Sequence, residues 1–225
     1  MFMVLDVETT FKKDDSGKTD VDPYTGNMLV SVGYKNDTEN YLCFSHTGKQ
    51  PTENGFEELQ SVLDNTELLV GHNIKFDLKW LLACNFKYTG KLWDTMIAEY
   101  VIHGGDKVPL SLSECVKRYG LDQKRTDLTE RYMKDGISFD CMPWHIVEEY
   151  GRADVNITKD NFNNYLYSGV FLIFISILDV FLNSFFSINA TSFLPEFLSF
   201  VLPLVVGFTG LYFIYSSPPL RLKRI

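Results

Sequence analysis

Two carboxylates interrupt an otherwise apolar run, Phe2-Met3-Val4-Leu5-Asp6-Val7-Glu8-Thr9. Side chains alternate along a strand, so Asp6 and Glu8 leave it on the same face, roughly 7 Å apart along the backbone. A divalent cation is the usual means of making such a pair tolerable, because buried carboxylates without a counter-ion take up protons instead. Two further pairs share the spacing of one helical turn: Asn73 with Asp77, and Tyr150 with Asp154. Taken singly, each pair also has a structural reading. Asp6 and Glu8 fit a solvated edge strand, Asn73 a helix cap, Asp77 and Asp154 solvated helix positions, and Tyr150 a core residue. His72 has no second His or Cys at ligand spacing, so it reads as a turn residue outside any metal site.

The elements that would carry these groups follow from periodicity. After the first strand, 12–26 is rich in Lys, Asp, Ser, Gly and Pro and reads as a long exposed turn. Met28 to Tyr34 and Asn40 to Phe44 are rich in β-formers and extend a meander. Phe56, Leu59, Val62 and Leu63 recur at helical spacing, and Glu67 to Gly71 forms a short apolar fourth strand. That strand runs into the helical pattern of 72–82, which puts Asp77 in the first turns of a helix. Further helices are expected from Asp94, as N-cap, to Ile102, over Glu114 to Tyr119, and from Trp144 onward. Strands followed by alternating helix and strand, then helices, make an α/β pattern with a mixed sheet.

The order of the three pairs is more specific than any one of them. Asp-x-Glu on the first strand, Asn-x-x-Phe-Asp after a later strand and Tyr-x-x-x-Asp on a late helix resemble the DEDD exonuclease superfamily, in its tyrosine subgroup, over roughly residues 1–165. The stretches Asp6-Val7-Glu8-Thr9-Thr10, Gly71 to Asp77 and Trp93 to Ala98, with Leu110-Ser111-Leu112 and Tyr119-Gly120-Leu121, bring it closest to the proofreading domain of bacteriophage family A DNA polymerases. The resemblance implies a ribonuclease H-like fold, a mixed five-stranded sheet flanked by helices. It implies that Asp6, Glu8, Asp77 and Asp154 hold two magnesium or manganese ions, which activate water and stabilise the leaving 3' oxygen in an in-line displacement at phosphorus. It gives Tyr150 the orientation of the attacking water, since a phenol of ordinary pKa is a poor base at neutral pH. Asn73 would contact the terminal nucleotides, Thr9 would lie against the 3' end, and Lys75 would contact phosphate. Lys117, Arg118, Lys124 and Arg125 are candidates for a basic rim, with a solvated charged face as the alternative.

The 225 residues carry a formal net charge of −8, which argues against a polycation that coats nucleic acid by bulk charge. Cys43, Cys84, Cys115 and Cys141 form no Cys-x-x-Cys pair and suit reduced thiols in a cytoplasmic setting, the host's if the chain is viral; no secretory signal pattern opens the sequence. Past Tyr165 the composition changes to a hydrophobic, helical C-terminal tail, 166–225. Val170 to Ile188 and Phe197 to Tyr215 are almost wholly apolar and each long enough to span a bilayer, with Arg221, Lys223 and Arg224 behind them. Against a two-span hairpin stand Asp179 in mid-span and Pro203. The other readings are a translation that left the reading frame near residue 165 and a buried helical subdomain. The expected function is a metal-dependent 3'-5' exonuclease acting on single-stranded or frayed DNA 3' ends, of proofreading or repair type, with a polymerase domain as a natural partner. The alternatives are an RNA-trimming exonuclease of the same superfamily, a non-catalytic nucleic-acid-binding module, and a membrane-tethered module.

Overall fold

The computed structural model describes residues 1–13, 18–122 and 124–186. Its centre is strand β1, Phe2–Thr9, in which every residue but Phe2 and Asp6 is buried. β1 pairs antiparallel with β4 (Leu29–Lys35), and β4 pairs antiparallel with β5 (Glu39–Cys43). On its other side β1 pairs parallel with β6 (Leu68–Gly71), and β6 pairs parallel with β7 (Lys91–Asp94). The result is the expected mixed five-stranded sheet, in the order β5-β4-β1-β6-β7. β7 is the strand that the pattern reading misses, because four residues bounded by Lys91 and Asp94 carry no resolvable alternation.

The two faces of β1 meet different helices. Met3, Leu5 and Val7 pack with Leu59 and Leu63 of α1 (Gly55–Asp64) and with Ile74, Trp80 and Leu81 of α2 (Ile74–Ala83). Val4, from the alternate set, packs with Val70 and with Val155 and Phe162 of the long helix α6 (Trp144–Phe186). Full burial of each such aliphatic side chain contributes roughly 1.5–3 kcal/mol, so the strand is clamped from both sides. Asp6 and Glu8 belong to the Val4 set, and the strand's period of two therefore turns them toward α6.

Three smaller helices complete the layers: α3 (Thr95–Ile102), α4 (Leu112–Arg118) and α5 (Thr126–Lys134). Asp94 caps α3 as expected, its carboxylate accepting from the Met96 and Ile97 amides. The segment expected to be a single exposed turn holds more order than that. It carries the two-residue strands β2 (Lys12–Lys13) and β3 (Thr19–Asp20), paired antiparallel, and a 3-10 turn at Pro23–Thr25 capped by Asp22. The buried Asn27 carboxamide ties the segment down by donating to the carbonyls of Asp20 and Asp22. Such short pieces held by side-chain bonds leave no periodic trace.

α6 is 43 residues long and passes without a break through residue 165. Tyr165 is buried, whereas Leu166 and Tyr167 are exposed. Among the described residues no helix is long and apolar enough to cross a membrane. The second apolar stretch, 197–215, lies outside the described residues.

Candidate active site

Asp6 and Glu8 on β1 and Asp154 on α6 each bring a carboxylate oxygen to within 4.8 Å of the other two. Two glycines let the helix come this close. Gly33 stands opposite Asp6 in the β1–β4 ladder, and a Cβ there would lie 2.9 Å from Val155 Cγ2. Gly151, between Tyr150 and Asp154, lies under the Tyr41 ring, and a Cβ there would clash with the Tyr41 hydroxyl oxygen. That hydroxyl is itself fixed, sharing a hydrogen bond with Ser31 Oγ at 2.8 Å and donating to the Val147 carbonyl at 3.0 Å. The α6 backbone is thereby seated on β4 and β5, with Tyr150 and Asp154 turned to the carboxylate face of β1.

Asp77 reaches the cluster's edge by another route. The parallel pairing of β1 with β6 ends at Val4 and Val70, after which the chain turns into α2. Asp77, buried in the first turn of α2, accepts the Val7 amide at 3.0 Å through Oδ1. Its carboxylate is thus anchored to the peptide between Asp6 and Glu8, although it lies outside the tight group formed by the other three. Asn73 does not share a helical face with Asp77. It is the N-cap of α2, in the left-handed region at φ 62°, and its side chain makes no capping hydrogen bond. Its backbone amide donates to Asp94 Oδ1 at 2.9 Å, so Asp94 serves both α3 and the start of α2. Lys75 and Asn73 are exposed. Thr9 is buried just past an irregularity in the β1–β4 register between Glu8 and Thr9. His72 is engaged structurally, its Nδ1 with Thr95 Oγ1 and its Nε2 with the Leu110 carbonyl, both at 2.9 Å.

Electrostatics mark the cluster as unsatisfied. Burial and the neighbouring Asp154 push Asp6 up to about 7, against the pull of Lys124. Burial raises Glu8 and Asp77 well above the usual carboxylate range, reinforced in both by the negative charge of Asp6. Burial also raises Asp154, opposed by Lys124. Asp154 Oδ1 is buried without a hydrogen-bond partner. A group of three carboxylates, one of them with a buried, orphaned oxygen, has the character of a cation site, and an oxygen-only donor set suits a hard ion such as magnesium or manganese. The Tyr150 phenol is pushed above its ordinary value by burial and by Glu8, so it stays protonated at neutral pH. Its ring lies against Phe139, with centroids 5.6 Å apart.

Three members of the candidate basic rim are engaged in separate ion pairs, and the fourth, Lys117, is exposed at the end of α4. Arg118 binds the buried Glu99, and Arg125 turns outward to Asp127 and Glu149. Lys124 turns inward: its ammonium pairs with Asp154 and lies 4.9 Å from the centre of the Tyr150 ring. No motif announces this lysine. It sits in the connection between α4 and α5, and its reach into the cluster is a product of tertiary packing.

Residues 15–164 match a family model described as 3'-5' exonuclease, of the DNA polymerase A type. The chain belongs to this 3'-5' exonuclease family. Its exonuclease domain is of the DEDD type, a hydrolase fold family, and the strand with Asp6 and Glu8 precedes the first matched residue. A DNA polymerase I of Borreliella burgdorferi is 26% identical over 152 residues, 66% of this chain. A DNA polymerase of Bacillus phage SP01 is 28% identical over 104 residues, 44% of this chain. The chain spans only 16% and 11% of the length of these two polymerases. Among solved structures, the apo form of a nuclease aligns over 96% of this chain and 87% of its own, with TM-score 0.50 and 14% identity, a likeness of fold. Brucella melitensis NrnC with bound Mg2+ aligns over the same shares with TM-score 0.48 and 14% identity.

Proposed function

We propose that this exonuclease removes nucleotides from the 3' ends of single-stranded or frayed DNA, as a proofreading or repair activity, with two divalent ions held by Asp6, Glu8, Asp77 and Asp154. The observation that carries the reading is the convergence of carboxylate oxygens from Asp6 and Glu8 on β1 and Asp154 on α6, a cluster in which Asp154 Oδ1 has no hydrogen-bond partner. When bound, the ions supply a hydroxide-like nucleophile and neutralise charge on the leaving 3' oxygen. The chain's own residues supply position. Tyr150, protonated at neutral pH, donates a hydrogen bond to the attacking water and does not take its proton. Asn73, whose side chain makes no cap bond, reaches the terminal nucleotide, and exposed Lys75, two residues on, meets phosphate. Thr9, being buried, contributes through its backbone at the end of β1.

Residues 1–165 form the catalytic domain in this reading, with 166–225 as an appended segment. The DNA substrate and the service to a polymerase domain rest on the two relatives, both of them DNA polymerases. A reducing, cytoplasmic setting fits four cysteines of which none is in a disulfide. The test is release of the terminal nucleotide from 3'-labelled DNA and RNA oligonucleotides of one sequence. Wild-type chain with Mg2+ is expected to shorten the DNA faster than the RNA, and Asp6→Ala to abolish release while the protein stays folded. Undiminished release by Asp6→Ala refutes the assigned site, and faster RNA trimming refutes the DNA assignment alone.

A further inference from the structure

Lys124 stands where a metal-binding cluster has least use for a fixed positive charge. Its side chain is 22% exposed and pairs with Asp154 Oδ2, while the other oxygen of the same carboxylate, Oδ1, has no partner. The ammonium also lies over the Tyr150 ring, 4.9 Å from its centre. The carboxyl groups of Asp154, Asp6 and Glu8 lie close enough to act on its charge, and the neutral Tyr150 ring offers it an aromatic face. Its sequence neighbour Arg125 bonds Asp127 and Glu149 at the surface and takes no part. An ammonium and a divalent ion both seek carboxylate oxygens, yet a protein-borne ammonium is already paid for in the folded chain and needs no dissolved ligand.

We infer that Lys124 is a resident cation of the carboxylate cluster: it holds Asp154 and Tyr150 in place when no metal is bound, and a divalent ion must take Asp154 in competition with it. The inference rests on the proposed metal-binding role of the cluster. It makes Lys124 a positioning residue that also sets how tightly the enzyme takes its metal. Two consequences oppose one another. Removing the charge exposes the buried carboxylates to each other and destabilises the metal-free protein, and the same removal relieves repulsion on an incoming cation. A purely structural lysine predicts the first effect without the second.

The experiment is Mn2+ binding to the full chain without nucleic acid, followed by the loss of free-ion paramagnetic resonance signal, together with thermal unfolding with and without Mn2+. Lys124→Met and the more polar Lys124→Gln are each expected to bind Mn2+ at least about tenfold more tightly than wild type. Both are expected to melt lower than wild type without metal and to regain most of that difference at saturating Mn2+. Lys124→Arg, which keeps the charge, stays within about threefold of wild-type affinity. Unchanged or weaker Mn2+ binding by the neutral variants, with the wild type still binding, overturns the inference and leaves the metal-site reading standing. Absence of Mn2+ binding to the wild type overturns both.

Discussion

At the scale of single residues, the candidate site is a set of groups whose environments disagree with their charges. Asp77 shows how a local bond fixes a candidate site side chain: it takes the Val7 amide at 3.0 Å, just past where the β6 pairing has stopped. Tyr150 is held as a phenol by burial and by Glu8, which suits the proposed role of orienting the attacking water rather than that of a tyrosinate base. Tyr150→Phe is therefore expected to lower the turnover of nucleotide release by about a hundredfold, the cost of a misplaced water, while oligonucleotide KM changes little. Steady-state kinetics on a 3'-labelled oligonucleotide measure this; a loss confined to KM would assign Tyr150 to substrate binding instead.

At the scale of elements, α6 is registered on the sheet by small residues. Gly151→Ala gains helix propensity of about 1 kcal/mol but drives a methyl group into the anchored Tyr41 hydroxyl. The expected net outcome is a destabilisation of about 1–3 kcal/mol by denaturant unfolding, with weakened nucleotide release because Tyr150 and Asp154 move with the helix. A second anchor joins α3, α4 and α6 through Glu99, which is fully buried and accepts from Arg118 Nε, Tyr119 and Tyr165, each at 2.8 Å. Burial pushes this carboxyl up, but the two tyrosines and Arg118 prevail and hold it below its ordinary value. Glu99→Ala, which leaves Arg118 and two phenols without their partner, is expected to cost about 3 kcal/mol in the same unfolding measurement. The parts legible in the sequence were those with a strong period or motif. β1, the strand-to-helix turn at Gly71 to Asp77 and the spacing of Tyr150 and Asp154 on α6 are of that kind. β7 and the β2–β3 pair are too short to show alternation, and α5 is so polar that it resembles a connection. Lys124 was legible only as a candidate rim cation, and its inward turn was not, because its neighbours in space are 30 and 26 positions away in the chain and no local pattern encodes such a contact.

For the whole molecule, the cluster links folding to pH and, in the proposed reading, to metal. The folded pKa of Asp6 is raised to about 7 from 3.8, and Glu8, Asp77 and Asp154 are raised as well. Groups raised in this sense favour the folded state while protonated. Their stabilisation is full below the unfolded values and is lost as pH rises through the folded ones. Metal-free protein is therefore expected to melt progressively lower between about pH 5 and about pH 8, and saturating Mg2+ to restore the loss at the upper end. Thermal unfolding across that range in chelator and in Mg2+ measures both effects; a metal-free melting temperature that rises with pH would contradict the assigned shifts. A net charge of −8 gives the chain no general attraction for a polyanion, so in this account the bound ions also draw the substrate's phosphates to the cleft. The most direct test of the central claim is anomalous diffraction from crystals of the full chain grown with Mn2+. The account predicts two manganese peaks touching carboxylate oxygens of Asp6, Glu8, Asp77 and Asp154. Peaks placed elsewhere, or an empty cluster at saturating Mn2+, would contradict it.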